Sequence, residues 1–242
     1  MTRNRLDDFD PAWSPDGRRI VFARGKIDTN ANRVEHSALY LMDANGRHAR
    51  QLTSRGPDTA PSWAPSGRRI VFARNDVVSI LDLGTGRIHS LAGGVDPAWS
   101  PDGRLIALAA GARLEAVRPD GRGARTLFDG GDEGPGITTQ ISRPSWSPDG
   151  GTISFHLRYD HGRWSEDGNV IVSRTGETRG TLHCIPSSPP SFELESYDTG
   201  TAWSPDGQWV AADGVAVCRT DGSTGYWLSP GLEADWQRRI QR

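Results

Sequence analysis

Between Arg158 and Asp167 the chain gathers Tyr159, Asp160, His161, Arg163, Trp164 and Glu166. An aromatic anchor, both signs of charge and an imidazole in one short stretch suit recognition of a partner, because Tyr, Trp and Arg most often dominate binding energy at interfaces. A second stretch, 185–200, opens Pro-rich and adds Phe192, Glu193, Glu195, Tyr197 and Asp198, an acidic and aromatic lip. Patterns for catalysis are weaker. Asp221-Gly222-Ser223-Thr224-Gly225 reads as a turn between two strands and fails the strand-to-helix context of a nucleophile elbow. His36, His48, His89, His156, His161 and His183 show neither paired zinc spacing nor a neighbouring cysteine cluster. Asp10 and Asp96 stand at equivalent places, but their counterparts are Ala60, Arg143 and Gly200, so they form no carboxylate ring for a hard cation. Asp129, Asp132 and Glu133 also lack a full calcium-loop pattern. The expectation is a binding protein with no catalytic residue, metal or cofactor.

The 242 residues suffice for one substantial core, and a net charge of −2 supplies no electrostatic footprint for nucleic acid. No apolar run approaches the roughly 18 residues of a membrane span. The first eight residues lack the apolar core of a secretory signal, so the expected location is cytoplasmic if the chain begins here, and periplasmic or extracellular if a leader was removed. Cys184 and Cys218, the only cysteines, read as two small buried or half-buried residues and not as a disulfide framework. The 29 Gly, 16 Pro and 9 Trp describe a turn-rich chain of short strands.

These strands come in repeats. "FDPAWSPDGRRIVFAR" at 9–24 returns as "TAPSWAPSGRRIVFAR" at 59–74, "VDPAWSPDGRLIALAA" at 95–110, "SRPSWSPDGGTISFHL" at 142–157 and "GTAWSPDGQWVAADG" at 200–214. Each copy places a short strand around its Trp, then a turn in which Pro presets φ, Asp tolerates the bridge region and Gly takes positive φ. A β-branched and aromatic strand follows, then a third strand such as "ALYLMDANG" at 38–46 and a fourth such as "RQLT" at 50–53. Four strands in a period near 40–45 residues is the requirement of a β-propeller blade.

The run P-[AS]-W-S-P-D-G-[RK]-x-I-[AV]-F, with "LYLMDANG" and "RQLT", resembles the PD40 (WD40-like) repeats of TolB-like β-propellers. The resemblance covers residues 9–238. It implies an all-β propeller of four-stranded antiparallel blades in one domain, 1–242, with units at 10–53, 58–91, 95–128, 142–184 and 200–229. A terminal strand at 233–239, around Trp236, would either cap the propeller or form part of a reduced sixth blade. Ala64-Pro65-Ser66-Gly67, Gly151 and Gln208-Trp209 depart from the pattern and weaken individual turns. Five copies of one motif are five folding units, so the motif is scaffold.

Strand parity then indicates where a site belongs. Turns between first and second strands, and between third and fourth, are short and nearly constant. Length varies at the other end, in 25–36, 129–142, 158–168 and 185–200, read as long loops on one face. Long ordered loops on a rigid scaffold carry function. The expected role is a non-catalytic scaffold gripping a protein or peptide through Tyr159, Asp160, His161, Arg163, Trp164, Phe192 and Tyr197, with neither nucleic acid nor a membrane span. The resemblance offers two alternatives: a metal-dependent propeller hydrolase or lactonase acting at the channel mouth, and a regulatory propeller of a separate prolyl-oligopeptidase-type peptidase.

Overall fold

The computed structural model describes residues 6–28, 33–54, 56–131, 134–182, 201–212, 216–220 and 225–227. Among the described residues twenty strands form five four-stranded sheets, each in simple sequence order. The first contains β1 (Asp7–Trp13), β2 (Arg19–Asp28), β3 (Arg33–Asp43) and β4 (Arg50–Gln51), and the second β5 (Asp58–Trp63), β6 (Arg69–Arg74), β7 (Val77–Asp82) and β8 (Ile88–Gly93). The third has β9 (Val95–Trp99), β10 (Ile106–Ala110), β11 (Arg113–Val117) and β12 (Arg125–Asp129). The fourth has β13 (Thr138–Trp146), β14 (Thr152–Asp160), β15 (Ser165–Ser173) and β16 (Thr178–Leu182), and the fifth β17 (Thr201–Trp203), β18 (Trp209–Ala212), β19 (Ala216–Arg219) and β20 (Gly225–Trp227). This is the expected set of four-stranded antiparallel blades. The proposed terminal strand at 233–239 lies outside the described residues.

The repeated turn explains why each blade starts the same way. The Ser14 amide donates to the Arg19 carbonyl (2.8 Å), and the Ser14 hydroxyl accepts the Arg19 amide (2.9 Å) while donating to Asp16 Oδ1 (2.6 Å). Asp16 also accepts the Arg18 amide, and Gly17 closes the turn at φ 67°. The Ser14 hydroxyl, then the Arg18 amide, hold the Asp16 carboxyl below its ordinary range. The third, fourth and fifth blades repeat the Ser–Asp pair at Ser100–Asp102, Ser147–Asp149 and Ser204–Asp206. The second blade keeps the backbone bonds with Ala64 and Ser66 in those places, retaining only a long Arg68 amide to Ser66 hydroxyl bond of 3.4 Å.

The first strands of the first, second and fourth blades carry a bulge just before their proline, and the third shares its positive φ. Asp10, Ala60, Asp96 and Arg143 adopt φ of 48–50°. Pairing shifts register across Phe9/Ala12, Thr59/Ser62 and Ser142/Ser145. The bulge turns the Asp10 carboxylate onto the next blade, where Oδ2 accepts the Ala60 amide at 2.8 Å. Trp rings make the same step between blades. Trp63 Nε1 donates to the Ala12 carbonyl (3.0 Å), and Trp203 Nε1 to Ser154 Oγ (2.8 Å). Trp63, Trp99 and Trp146 are buried, whereas Trp13, which opens the first blade of its unit, is 37% exposed.

Two compact units are present: Met1–Leu108 with Val117–Gly123, and Ala109–Ala116 with Ala124–Arg242. In the first, Val21, Leu39, Leu41, Trp63, Ile70 and Phe72 form a continuous apolar core. The second is centred on Ile141, Ile153, Phe155, Leu157 and Val172, with Phe128 tilted against Phe155 at 5.1 Å between ring centroids.

Two expectations need correction. Residues 25–28 with 33–36, and 158–160 with 165–168, are strand extensions and not loops: β2 pairs with β3 out to Asp28↔Arg33, and β14 with β15 out to Asp160↔Ser165. Cys218 is disulfide-bonded and 2% exposed, not a lone buried thiol. The chain's only other cysteine, Cys184, lies outside the described residues.

Candidate functional site

The fourth blade extends beyond its repeat. β13, β14 and β15 continue together past Ile141↔Leu157, through Thr139↔Tyr159 and Thr138↔Asp160 on one side and Tyr159↔Glu166 on the other. Alternation along β14 puts Phe155, Leu157 and Tyr159 on one face and Arg158 and Asp160 on the opposite one. Four residues, His161 to Trp164, close the tip, with the His161 amide donating to the Trp164 carbonyl at 2.9 Å. Asp160 Oδ1 accepts the Gly162 amide at 2.8 Å, so this carboxylate shapes the turn.

At the tip the His161 and Trp164 rings stack, 3.8 Å apart and 9° from parallel. Trp164 is 56% exposed, the most exposed of the large apolar side chains among the described residues. His161 Nε2 is buried there with no hydrogen-bond partner among the described residues. The structure thus brings Tyr159, Asp160, His161, Arg163 and Trp164 onto one hairpin. Arg163 and Trp164 are exposed, Tyr159 and His161 half-buried. Phe192 and Tyr197 lie outside the described residues.

The hairpin base is buttressed by the link from the third blade. The Gly130 amide donates to the Ala112 carbonyl (2.9 Å) and the Ile141 amide to the Gly111 carbonyl (3.1 Å). A side chain at Gly130 would meet Thr139 Cγ2 at 2.6 Å, so this close approach requires glycine. Beside this contact lies an open cavity of about 410 Å³, lined by Ala110, Ala112, Arg113, Asp129 and Gly131. Arg113 Nε pairs with Asp129 Oδ2 at 3.2 Å, both side chains more than half exposed. The Gly131 amide, then Arg113, hold the Asp129 carboxyl below its ordinary range.

Sequence reasoning missed this cavity, although the repeats contain a signal for it. Eleven residues after the anchor Trp, the first, second and fourth blades carry Arg24, Arg74 and Leu157, where the third has only Ala110. A methyl leaves room where the others fill it. Among the described residues, no group of three or more His, Cys, Asp or Glu side chains is placed to hold a metal ion. No described helix is long and apolar enough to cross a membrane.

No family model matches the sequence, and no curated protein matches it. Solved structures do resemble it. TolB from Acinetobacter baumannii matches 90% of this chain with a TM-score of 0.65 and 21% identity, and the chain spans 53% of that structure. A putative TolB from Agrobacterium tumefaciens matches 74% of this chain and 82% of its own, with a TM-score of 0.52 and 20% identity. An oligogalacturonate lyase from Vibrio parahaemolyticus covers 94% of this chain and 80% of its own, with a TM-score of 0.50 and 14% identity. At these identities the likeness is one of fold, and it is shared by proteins with different roles. The five four-stranded sheets, the repeated Trp-Ser-Pro-Asp-Gly turn and these structural neighbours together give the chain the fold of the TolB-like β-propellers.

Proposed function

We propose that the chain is a non-catalytic binding module that grips a protein or peptide partner with the raised hairpin of its fourth blade. The observation that carries this reading is the exposed Trp164, stacked on His161 and held at the tip of a three-stranded extension. A solvent-facing indole with a preset rotamer loses little side-chain entropy on contact, which favours it as an anchor. Arg163 beside it supplies a charged fork, and Tyr159 lower on the hairpin adds a second aromatic surface. The cavity at the hairpin's foot would seat a partner side chain against Arg113 and Asp129. Cys218's disulfide supports work in an oxidising compartment, periplasmic or extracellular.

The test pairs a binding readout with a folding one. Immobilised wild-type chain and the variant Tyr159→Ala/Arg163→Ala/Trp164→Ala are exposed to native lysate, and a protein retained by the wild type alone is purified and titrated against both. The expected result is loss of binding with an unchanged melting temperature. Trp99→Ala, by contrast, removes a buried ring and is expected to cost about 3–5 kcal/mol of stability. Equal retention by wild type and triple variant would remove the hairpin from the partner site.

A further inference from the structure

The end of the first unit at which its glycine turns close carries a charge pattern that those turns do not need. Six turns close there, two in each of the first three blades. In every one a glycine at φ of 66–81° is followed directly by arginine: Arg18, Arg47, Arg68, Arg87, Arg104 and Arg122. All six are exposed. Each turn is closed in the same way, by the arginine's own amide donating to a side-chain oxygen two residues earlier, from Asp16, Asn45, Ser66, Thr85, Asp102 and Asp120 in turn.

The second unit makes the corresponding turns without arginine. Glycines at 69°, 96° and 69° are followed there by Gly151, Glu177 and Gln208. The Gly151 and Gln208 amides are bound equivalently, to Asp149 and Asp206, and the Glu177 amide is held by the Ser173 hydroxyl four residues earlier. Folding of the turn therefore does not select the guanidinium.

The six charges form one surface. Within a blade the two turns are stitched by backbone bonds, Ala44 amide to Arg18 carbonyl (2.9 Å) and Leu83 amide to Arg68 carbonyl (3.0 Å). Between blades, Arg19 Nη2 reaches the Gly67 carbonyl (3.5 Å), and Pro65 lies against Gly103. None of the six guanidiniums forms a hydrogen bond or salt bridge among the described residues, whereas Arg24 and Arg74 at the other end of the same unit's blades are each paired with an aspartate. Asp16, Asp82, Asp102 and Asp120 at the turn end each accept an amide of their own turn.

We propose that this arginine-tipped face of the first unit is a second docking surface and that it takes an acidic segment of a partner protein. Guanidinium forks match carboxylates in bidentate geometry and shed water more readily than ammonium groups. A flexible acidic chain can set its carboxylates on the arginines and pass between the interspersed aspartates. A nucleic-acid duplex, with a phosphate charge every ~1.7 Å along its axis, has no such freedom. The whole chain's charge of −2 further repels an extended polyanion beyond the patch.

The test uses the full chain and a fluorescent oligoglutamate peptide, read by anisotropy at low and physiological salt. Wild type is expected to bind the peptide, with affinity falling as the Debye length shrinks to about 8 Å at 0.15 M salt. Arg68→Gln/Arg104→Gln/Arg122→Gln adopts the side chain that Gln208 already shows at this turn position, and it is expected to lose about tenfold in affinity at unchanged melting temperature. Arg47→Gln/Arg87→Gln gives an independent loss should the first variant fold poorly. The Trp164 variant is expected to bind the peptide normally, which separates this surface from the hairpin. No peptide binding, or equal binding by wild type and both variants, overturns the proposal. Tighter, arginine-dependent binding of single-stranded DNA or anionic vesicles overturns the choice of partner.

Discussion

One cross-strand position shows how differently single residues can solve the same packing problem. In the first two blades it is held by Asp8–Arg24 and Asp58–Arg74, and in the fourth by Ile141–Leu157. Asp58 has no exposed surface; its carboxylate takes both forks of Arg74 (2.6 and 2.8 Å) and a hydrogen bond from the Thr53 hydroxyl, while its carbonyl accepts Ser37. Removing one partner of such a pair strands the other, so Asp58→Ala is expected to cost about 3–5 kcal/mol. Asp8 is 28% exposed, and Asp8→Ala should cost only about 1 kcal/mol, because water replaces the lost partner. Asp58→Ile with Arg74→Leu, the solution of the fourth blade, should recover most of the loss. Urea unfolding of the three variants checks the set, and an equal cost at Asp8 and Asp58 would refute burial as the cause.

At the scale of elements, the turns divide labour between backbone and side chain. The second blade shows that backbone bonds and a left-handed glycine suffice to make the turn, since Ala64 and Ser66 keep its geometry without the Ser–Asp pair. The departure noted in the sequence is therefore a loss of bonds and not of shape. Restoring them with Ala64→Ser and Ser66→Asp lets the hydroxyl accept the Arg69 amide and the carboxylate accept the Arg68 amide. The expected gain is about 1 kcal/mol, read as a raised midpoint at constant slope in denaturant. The raised hairpins were less legible. Lys26-Ile27 and Val34-Glu35-His36 are only half-buried or exposed on both sides, so they lack the alternation that marks a strand and read as loop.

For the molecule as a whole, asymmetry matters more than repetition. Apolar repeats build both units, but a raised aromatic hairpin belongs to one and the run of arginine-tipped turns to the other. The Cys218 disulfide adds a covalent restraint to the second unit. Cys218→Ser is expected to lower stability by about 2–4 kcal/mol through the freed unfolded chain. Denatured wild type without reductant should titrate with no free thiol, whereas two free thiols would refute the bond.

By itself the sequence determined the blades, because their information is local: Trp, Ser-Pro-Asp-Gly and a β-branched run recur together, and each set folds its own strand, turn and strand. It also nominated Tyr159 to Trp164 from residue type. Only tertiary structure decided how these residues are presented, since stacking of His161 on Trp164, turn formation by Asp160 and support of the hairpin by Gly130 depend on pairing across strands and between blades. The small Ala110 opening a cavity, the different fates of Asp8 and Asp58, and the bonding of Cys218 follow from the same cause. Burial and partnership are properties of neighbours brought together by folding, and linear spacing does not encode them directly.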